Sequence, residues 1–203
     1  MKTKSLLLTV FLITLTGAAR ATLMYSGVQN VAVPVTLEGS YLRISDGTTG
    51  GAYPANWNTE PWLNPFFGGV DIANSPLLRP VITGTDQIVN LAPGTVIDAL
   101  SNFVSGESGS STHVGPAANQ FHLGTPGIIG VVFNATVGGP DLYGWVRVDI
   151  NNSSPGSIID WAYESTPGTS IMAGQVAPVP EPVTLAAGLL CLGVGMGRHR
   201  RNA

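Results

Sequence analysis

The side chains suited to catalysis are few in this 203-residue chain, and their spacing assembles no recognisable centre. His113 and His122 lie nine residues apart in a stretch rich in Gly, Ser and Pro. Zinc sites place His and Cys at short, repeated spacings, and no Cys stands between Thr22 and Val176 to complete one. Ser108, in Gly106-Glu107-Ser108-Gly109-Ser110, lacks the second glycine of a nucleophile elbow. The same span holds eleven acids, so some carboxylate pair is bound to occur, and a pair alone does not argue for glycoside hydrolysis. No phosphate-cradling loop and no calcium-loop repeat is present. The sequence thus names no catalytic residue, no metal ligand and no cofactor.

A different chemistry is legible near the C-terminus, where the chain reads as a substrate. Val179-Pro180-Glu181-Pro182 precedes fifteen uncharged, mainly apolar residues, Val183 to Gly197, and then Arg198-His199-Arg200-Arg201. The two prolines keep the backbone extended and bar a helix before Pro182. As a helix the apolar run rises about 22 Å, short of a hydrocarbon core of about 30 Å. Arg198, Arg200 and Arg201 can snorkel to the headgroups and act as a stop-transfer cluster on the cytoplasmic side. Cys191, among Leu189, Leu190 and Leu192, reads as a small hydrophobe.

This three-part tail resembles the PEP-CTERM sorting signal of exported bacterial proteins. The resemblance covers about 25 residues. It implies processing near Pro180-Glu181-Pro182 by an exosortase, a membrane-embedded, cysteine transpeptidase-like enzyme. It also implies a bacterium that makes exopolysaccharide or a surface matrix. The block Tyr143-Gly144-Trp145-Val146-Arg147-Val148, with Asp160-Trp161-Ala162-Tyr163-Glu164, is similar to a region just upstream of that signal in many such proteins. No activity attaches to the block. Its residues predict a hairpin with cross-strand aromatics, in which Arg147 pairs with Asp160 or Glu164.

The N-terminus reads as an export signal for the Sec machinery. Lys2 and Lys4 precede an apolar run from Ser5 to Thr16, and Ala19-Arg20-Ala21 supplies small residues at the cleavage edge, leaving Thr22 first. The expected organisation is a signal peptide at 1–21, an extracytoplasmic domain at 22–176 and a sorting signal at 177–203. The expected location is the membrane, through the C-terminal helix, and then the cell surface or extracellular matrix.

Charge separates the middle from the ends. Between Thr22 and Val176 only Arg43, Arg79 and Arg147 face the eleven acids, a net of −8 with no lysine at all. Phosphate backbones repel such a domain, which excludes a nucleic-acid partner. The acids keep a protein of only 10% charged residues soluble, with occasional Ca²⁺ binding as the other use.

The elements that must carry these residues are strands. Gly and Pro, 26 and 15 residues, are too many for a helical bundle. Alternating runs at Val31–Thr36, Tyr41–Ile44, Gln87–Leu91, Thr95–Ile97, Gly130–Val137, Leu142–Ile150 and Ser157–Tyr163 are bounded by turn signals such as Asp46-Gly47. Only Thr95 to Val104 carries a weak helical period. The prediction is an all-β fold of about ten to twelve strands, a β-sandwich or jelly roll.

Three functions compete on these grounds. The first is a non-enzymatic surface or matrix protein sorted by its tail. The second is a carbohydrate-binding module for exopolysaccharide, motivated by Tyr53, Trp57, Trp62, Phe66 and Phe67. The third is a glycan-active hydrolase.

Overall fold

The computed structural model describes residues 22–84, 87–104 and 113–177. The signal residues Ala19 and Ala21, Ser108, the sorting motif Val179 to Pro182 and the cluster Arg198, Arg200 and Arg201 lie outside the described residues. In chain order the strands are β1 (Leu23–Tyr25), β2 (Val31–Val33), β3 (Tyr41–Arg43), β4 (Thr48–Gly50), β5 (Trp62–Phe66), β6 (Asp71–Asn74), β7 (Leu78–Pro80), β8 (Val96–Ile97), β9 (Pro126–Asn134), β10 (Asp141–Asp149), β11 (Gly156–Glu164) and β12 (Ile171–Met172).

The fold is all-β, and every pairing between strands is antiparallel. The larger sheet runs β1-β11-β10-β9-β7, and β2 joins β1 on the free edge of β11. The smaller sheet runs β4-β3-β5-β6, and β8 and β12 form a separate ribbon. The stretch with a weak helical period becomes β8 followed by a turn, in which Leu100 N–H donates to Asp98 Oδ1 at 2.9 Å.

Period-two alternation decides which sheet face each side chain takes. Ile129, Val131 and Phe133 of β9, Leu142, Val146 and Val148 of β10, and Ile158 and Trp161 of β11 share one cluster with Leu42, Ile44, Leu63 and Ile72. This is the sandwich-like interior between the two sheets. On the opposite face, Ile128, Val132, Tyr143, Trp145 and Ala162 pack against Val81, Ile97, Ile171 and Ala173. The larger sheet is therefore buried on both sides, which explains the near-continuous apolar run of β9.

The expected hairpin forms, but its aromatics do not face one another. Gly144 opposes Tyr163, Trp145 opposes Ala162 and Val146 opposes Trp161. Small partners leave room for large rings in a sheet covered on both faces. A Cβ on Gly144 would stand 2.8 Å from the Ala162 carbonyl and 3.3 Å from Ile44 Cδ1 of the facing sheet.

Register slips once in this hairpin. Arg147 opposes Asp160, yet the next residue, Val148, opposes Ile158, so Ile159 is an extra residue, a β-bulge. The bulge lets Ile158 and Trp161, three apart, both point inward, while Asp160, Ala162 and Glu164 take the outer face. The Ile159 carbonyl accepts N–H bonds from Gln29 at 2.7 Å and Asn30 at 3.1 Å. The edge strand is consequently split into β1 and β2, joined by Ser26–Asn30 with left-handed φ at Gly27 (67°) and Asn30 (52°).

The sheets are also locked at one end by a 3-10 turn, Phe67–Gly69, whose Gly68 has φ 71°. Asn151 N–H donates to the Gly68 carbonyl at 3.0 Å. A Cβ at Gly68 would lie 1.8 Å from the Asn151 carbonyl oxygen, a backbone atom that cannot move aside. Gly68→Ala should therefore cost at least about 1–3 kcal/mol through overpacking and left-handed strain. Trp145, fully buried, should cost about 3–5 kcal/mol when replaced by Ala. Urea denaturation followed by far-ultraviolet circular dichroism checks both values, and unchanged midpoints would refute the packing described.

Candidate functional site

Three places gather the side chains that sequence analysis singled out, and the bulge sets two of them. On the outer face, Asp160 is buried and its Oδ2 accepts a hydrogen bond from the Tyr25 hydroxyl at 2.9 Å. Its Oδ1 lies 3.0 Å from Arg147 Nε, an ion pair whose angle falls short of a hydrogen bond. The Arg147 guanidinium lies 5.4 Å from the Trp145 ring centroid, and the Tyr25 ring lies 6.2 Å from it. Trp145 Nε1 donates to the Gln175 carbonyl at 3.2 Å, so the last described residues are held on this cluster. Of the two expected partners, Arg147 takes Asp160. The set is charge-balanced, and its geometry is that of a brace between β1, β10, β11 and the segment after β12.

The second place is a cleft of about 300 Å³ at the open edge between the sheets. Met24 and Tyr25 of β1, Ser26 and Gln29 of the linker, Asp46 of the β3–β4 turn, and Trp161 and Tyr163 of β11 contribute to its walls. Ser26 N–H donates to the Trp161 carbonyl at 3.0 Å, and Ser26 Oγ accepts the Trp161 N–H at 2.9 Å, which fixes the linker. Gln29 Nε2 donates to the Ser26 carbonyl at 2.6 Å, and the Tyr163 hydroxyl to the Ser45 carbonyl at 3.0 Å. The Arg43 guanidinium, whose Nε lies 2.9 Å from Asp46 Oδ1, holds that carboxyl below the usual carboxylate range, helped by the Thr48 N–H. The cleft thus combines aromatic faces with hydroxyl, amide and carboxylate groups.

The third is the outer face of the smaller sheet. There Trp57 and Trp62 are buried with Tyr41, and Tyr53 is 61% exposed. Tyr53 lies 5.5 Å from Trp57, and Arg43 lies 5.4 Å from the Trp62 centroid. Phe66 and Phe67 form their own pair at 5.3 Å. The five aromatics noted in sequence are thus not a single open row.

The histidines do not meet. His113 is buried, with Nε2 3.2 Å from the Gly69 carbonyl and its ring edge-on to Phe121 at 5.7 Å, whereas His122 is exposed. Among the described residues, no three His, Cys, Asp or Glu side chains gather in a metal-holding group. Sequence reasoning missed the edge cleft, because β1 is only three residues long and its partner is 139 positions away, too little local pattern to register.

Four tyrosines hold their protons more tightly than usual. The hydrogen bond to Asp160, then burial, raises Tyr25 above its ordinary value of 10.0. Burial first, then nearby carboxylates, raises Tyr41, Tyr143 and Tyr163. The folded state binds these protons where the unfolded chain has released them, so the slope of stability with pH is negative there. This stability is fully present below about pH 10 and is lost as pH rises through the raised folded values. Denaturant midpoints measured from pH 9 to 12 should fall above pH 10, and Tyr25→Phe should reduce the fall.

No family model matches the chain, and neither a curated protein nor a solved structure matches it.

Proposed function

We propose that this chain is an exported, non-enzymatic surface or matrix protein, delivered by its C-terminal signal and cut there by an exosortase. The observation that carries the reading is the order of Pro180-Glu181-Pro182, the apolar run Val183–Gly197 and the arginines at 198, 200 and 201. The fold supports it in one respect. The described domain is closed by its own contacts, with Gln175 fastened to Trp145, so the segment that follows leaves from a fixed point. In sequence, Pro180-Glu181-Pro182 stands between that point and the short apolar run, and its prolines bar a helix where a membrane-embedded enzyme would cut. The test compares the mass of the cell-associated protein for wild type and Glu181→Ala in a host with an exosortase. Wild type should lose its tail and the variant should keep it. Retention of residues through Ala203 in both identifies a plain anchor instead.

The edge cleft favours a second reading, recognition of the host's exopolysaccharide by the same domain. Aromatic rings beside amide and carboxylate groups suit a sugar's apolar face and hydroxyl rim. Titration with that polysaccharide should quench tryptophan fluorescence saturably, through Trp161, and Gln29→Ala should weaken the binding severalfold. A linear, non-saturating response would set this reading aside.

A further inference from the structure

Glu164, the last residue of β11, is 4% exposed on the outer face of the larger sheet. Its Oε1 accepts the Thr22 backbone N–H at 2.6 Å and the Thr166 N–H at 3.0 Å. None of the three arginines between Thr22 and Val176 pairs with it. Arg43 is engaged with Asp46 and Glu60, Arg79 with Asp141 and Arg147 with Asp160. The remaining charged or titratable side chains that alternation turns to this face are Tyr25 on β1, Asp141, Tyr143 and Asp149 on β10 and Asp160 on β11, with Asp98 near Tyr143, and none is a cation. A carboxylate taken out of water is costly unless a cation answers it. The nitrogen nearest to it belongs to Thr22, the residue that the export reading makes the first of the mature chain.

We infer that Glu164 is the seat for the mature N-terminus, a binding site for the α-ammonium group that signal-peptide cleavage creates. The inference rests on the reading of cleavage after Ala21. Hydrolysis of the Ala21–Thr22 bond adds hydroxide to the Ala21 carbonyl carbon and a proton to the Thr22 nitrogen, and the free amine then takes a second proton from water. The bond from a neutral amide N–H to the carboxylate thereby becomes an ion pair in which donor and acceptor both carry charge. Leu23 stands in register with Glu164, and Ser165 N–H donates to the Thr22 carbonyl at 3.0 Å, so the nitrogen is held in place by backbone pairing. A cut one residue away would shift the ammonium by about 3.3 Å along the extended chain, off the carboxylate. Export is thus coupled to the docking of β1, which is completed on the far side of the membrane.

The chain offers a clean probe, because Lys2 and Lys4 are its only lysines and both precede the cut. The α-amine is then the sole amine of the exported protein. The experiment recovers the full-length gene product after export, determines its N-terminus by intact mass and sequencing, and follows acetylation by an amine-reactive ester at pH 7. Native protein should acetylate at least about tenfold more slowly than the same protein in urea, as an amine held protonated through one further pH unit would. Glu164→Gln, which keeps the shape, should return most of the native rate toward the unfolded one. An N-terminus other than Thr22 overturns the cleavage reading and the seat with it. Thr22 found first but acetylated equally fast in native and unfolded protein overturns the seat alone. Should Glu164→Gln fail to fold, the native-against-urea comparison in the wild type decides the matter.

Discussion

One extra residue in β11 sets the arrangement of everything around it. Without the bulge at Ile159, strict alternation would put Ile158, Asp160, Ala162 and Glu164 on one face, and Ile159, Trp161 and Tyr163 on the other. Either the interior would receive two carboxylates or Ile158 would leave it. With the bulge, Ile158 and Trp161 both enter the interior and the acids turn to the outer face. The surplus carbonyl also finds donors in Gln29 and Asn30, which divides the edge strand. The edge cleft and the Tyr25–Asp160–Arg147 brace are both products of that single slip in register.

The charge economy of the domain follows the same logic. A protein with few ions cannot rely on a network, and among the described residues each of the three arginines is committed to a carboxylate, Arg147 to the buried Asp160 and Arg43 and Arg79 to partly exposed ones. Exposed pairs like the last two contribute little. Stability instead rests on a large sheet buried on both faces, which needs glycine and alanine opposite its aromatic rings. The dividing of the edge into two three-residue strands serves a second end, since short, bent edges resist pairing with another molecule's strands.

How far the sequence disclosed this depends on the length of each pattern. β10 was legible from the alternation along Leu142–Ile150, whereas β9 was read as Gly130–Val137 and runs from Pro126 to Asn134, because a near-continuous apolar run has no alternation to mark its ends. β3 and the turn after it were legible from Asp46-Gly47. β5, β6 and β7 were not predicted: Pro65 in the interior strand β5 and Pro80 in the edge strand β7 count against strands, and β6 is only four residues long. Gln87–Leu91 was read as a strand, yet it makes only isolated bridges, Ile82 to Ile88 and Asn90 to Ile129. The bulge was hidden because Ile158-Ile159 looks the same whether one isoleucine or both face inward. Pairing of Thr22 with Glu164 spans the whole domain and leaves no mark in local composition.

The ribbon of β8 and β12 has a mechanical consequence. Its two register pairs lie next to the segment through which the domain leaves at its C-terminal end. A pull on that segment is carried first by the Gln175 carbonyl on Trp145, and then by Met172 and Ile171 against Val96 and Ile97. Such a ribbon opens pair by pair under low force, while the nine-residue strands behind it remain in register. The cover of the outer face is therefore a fuse: it gives way early under tension and spares the interior that holds the two sheets together.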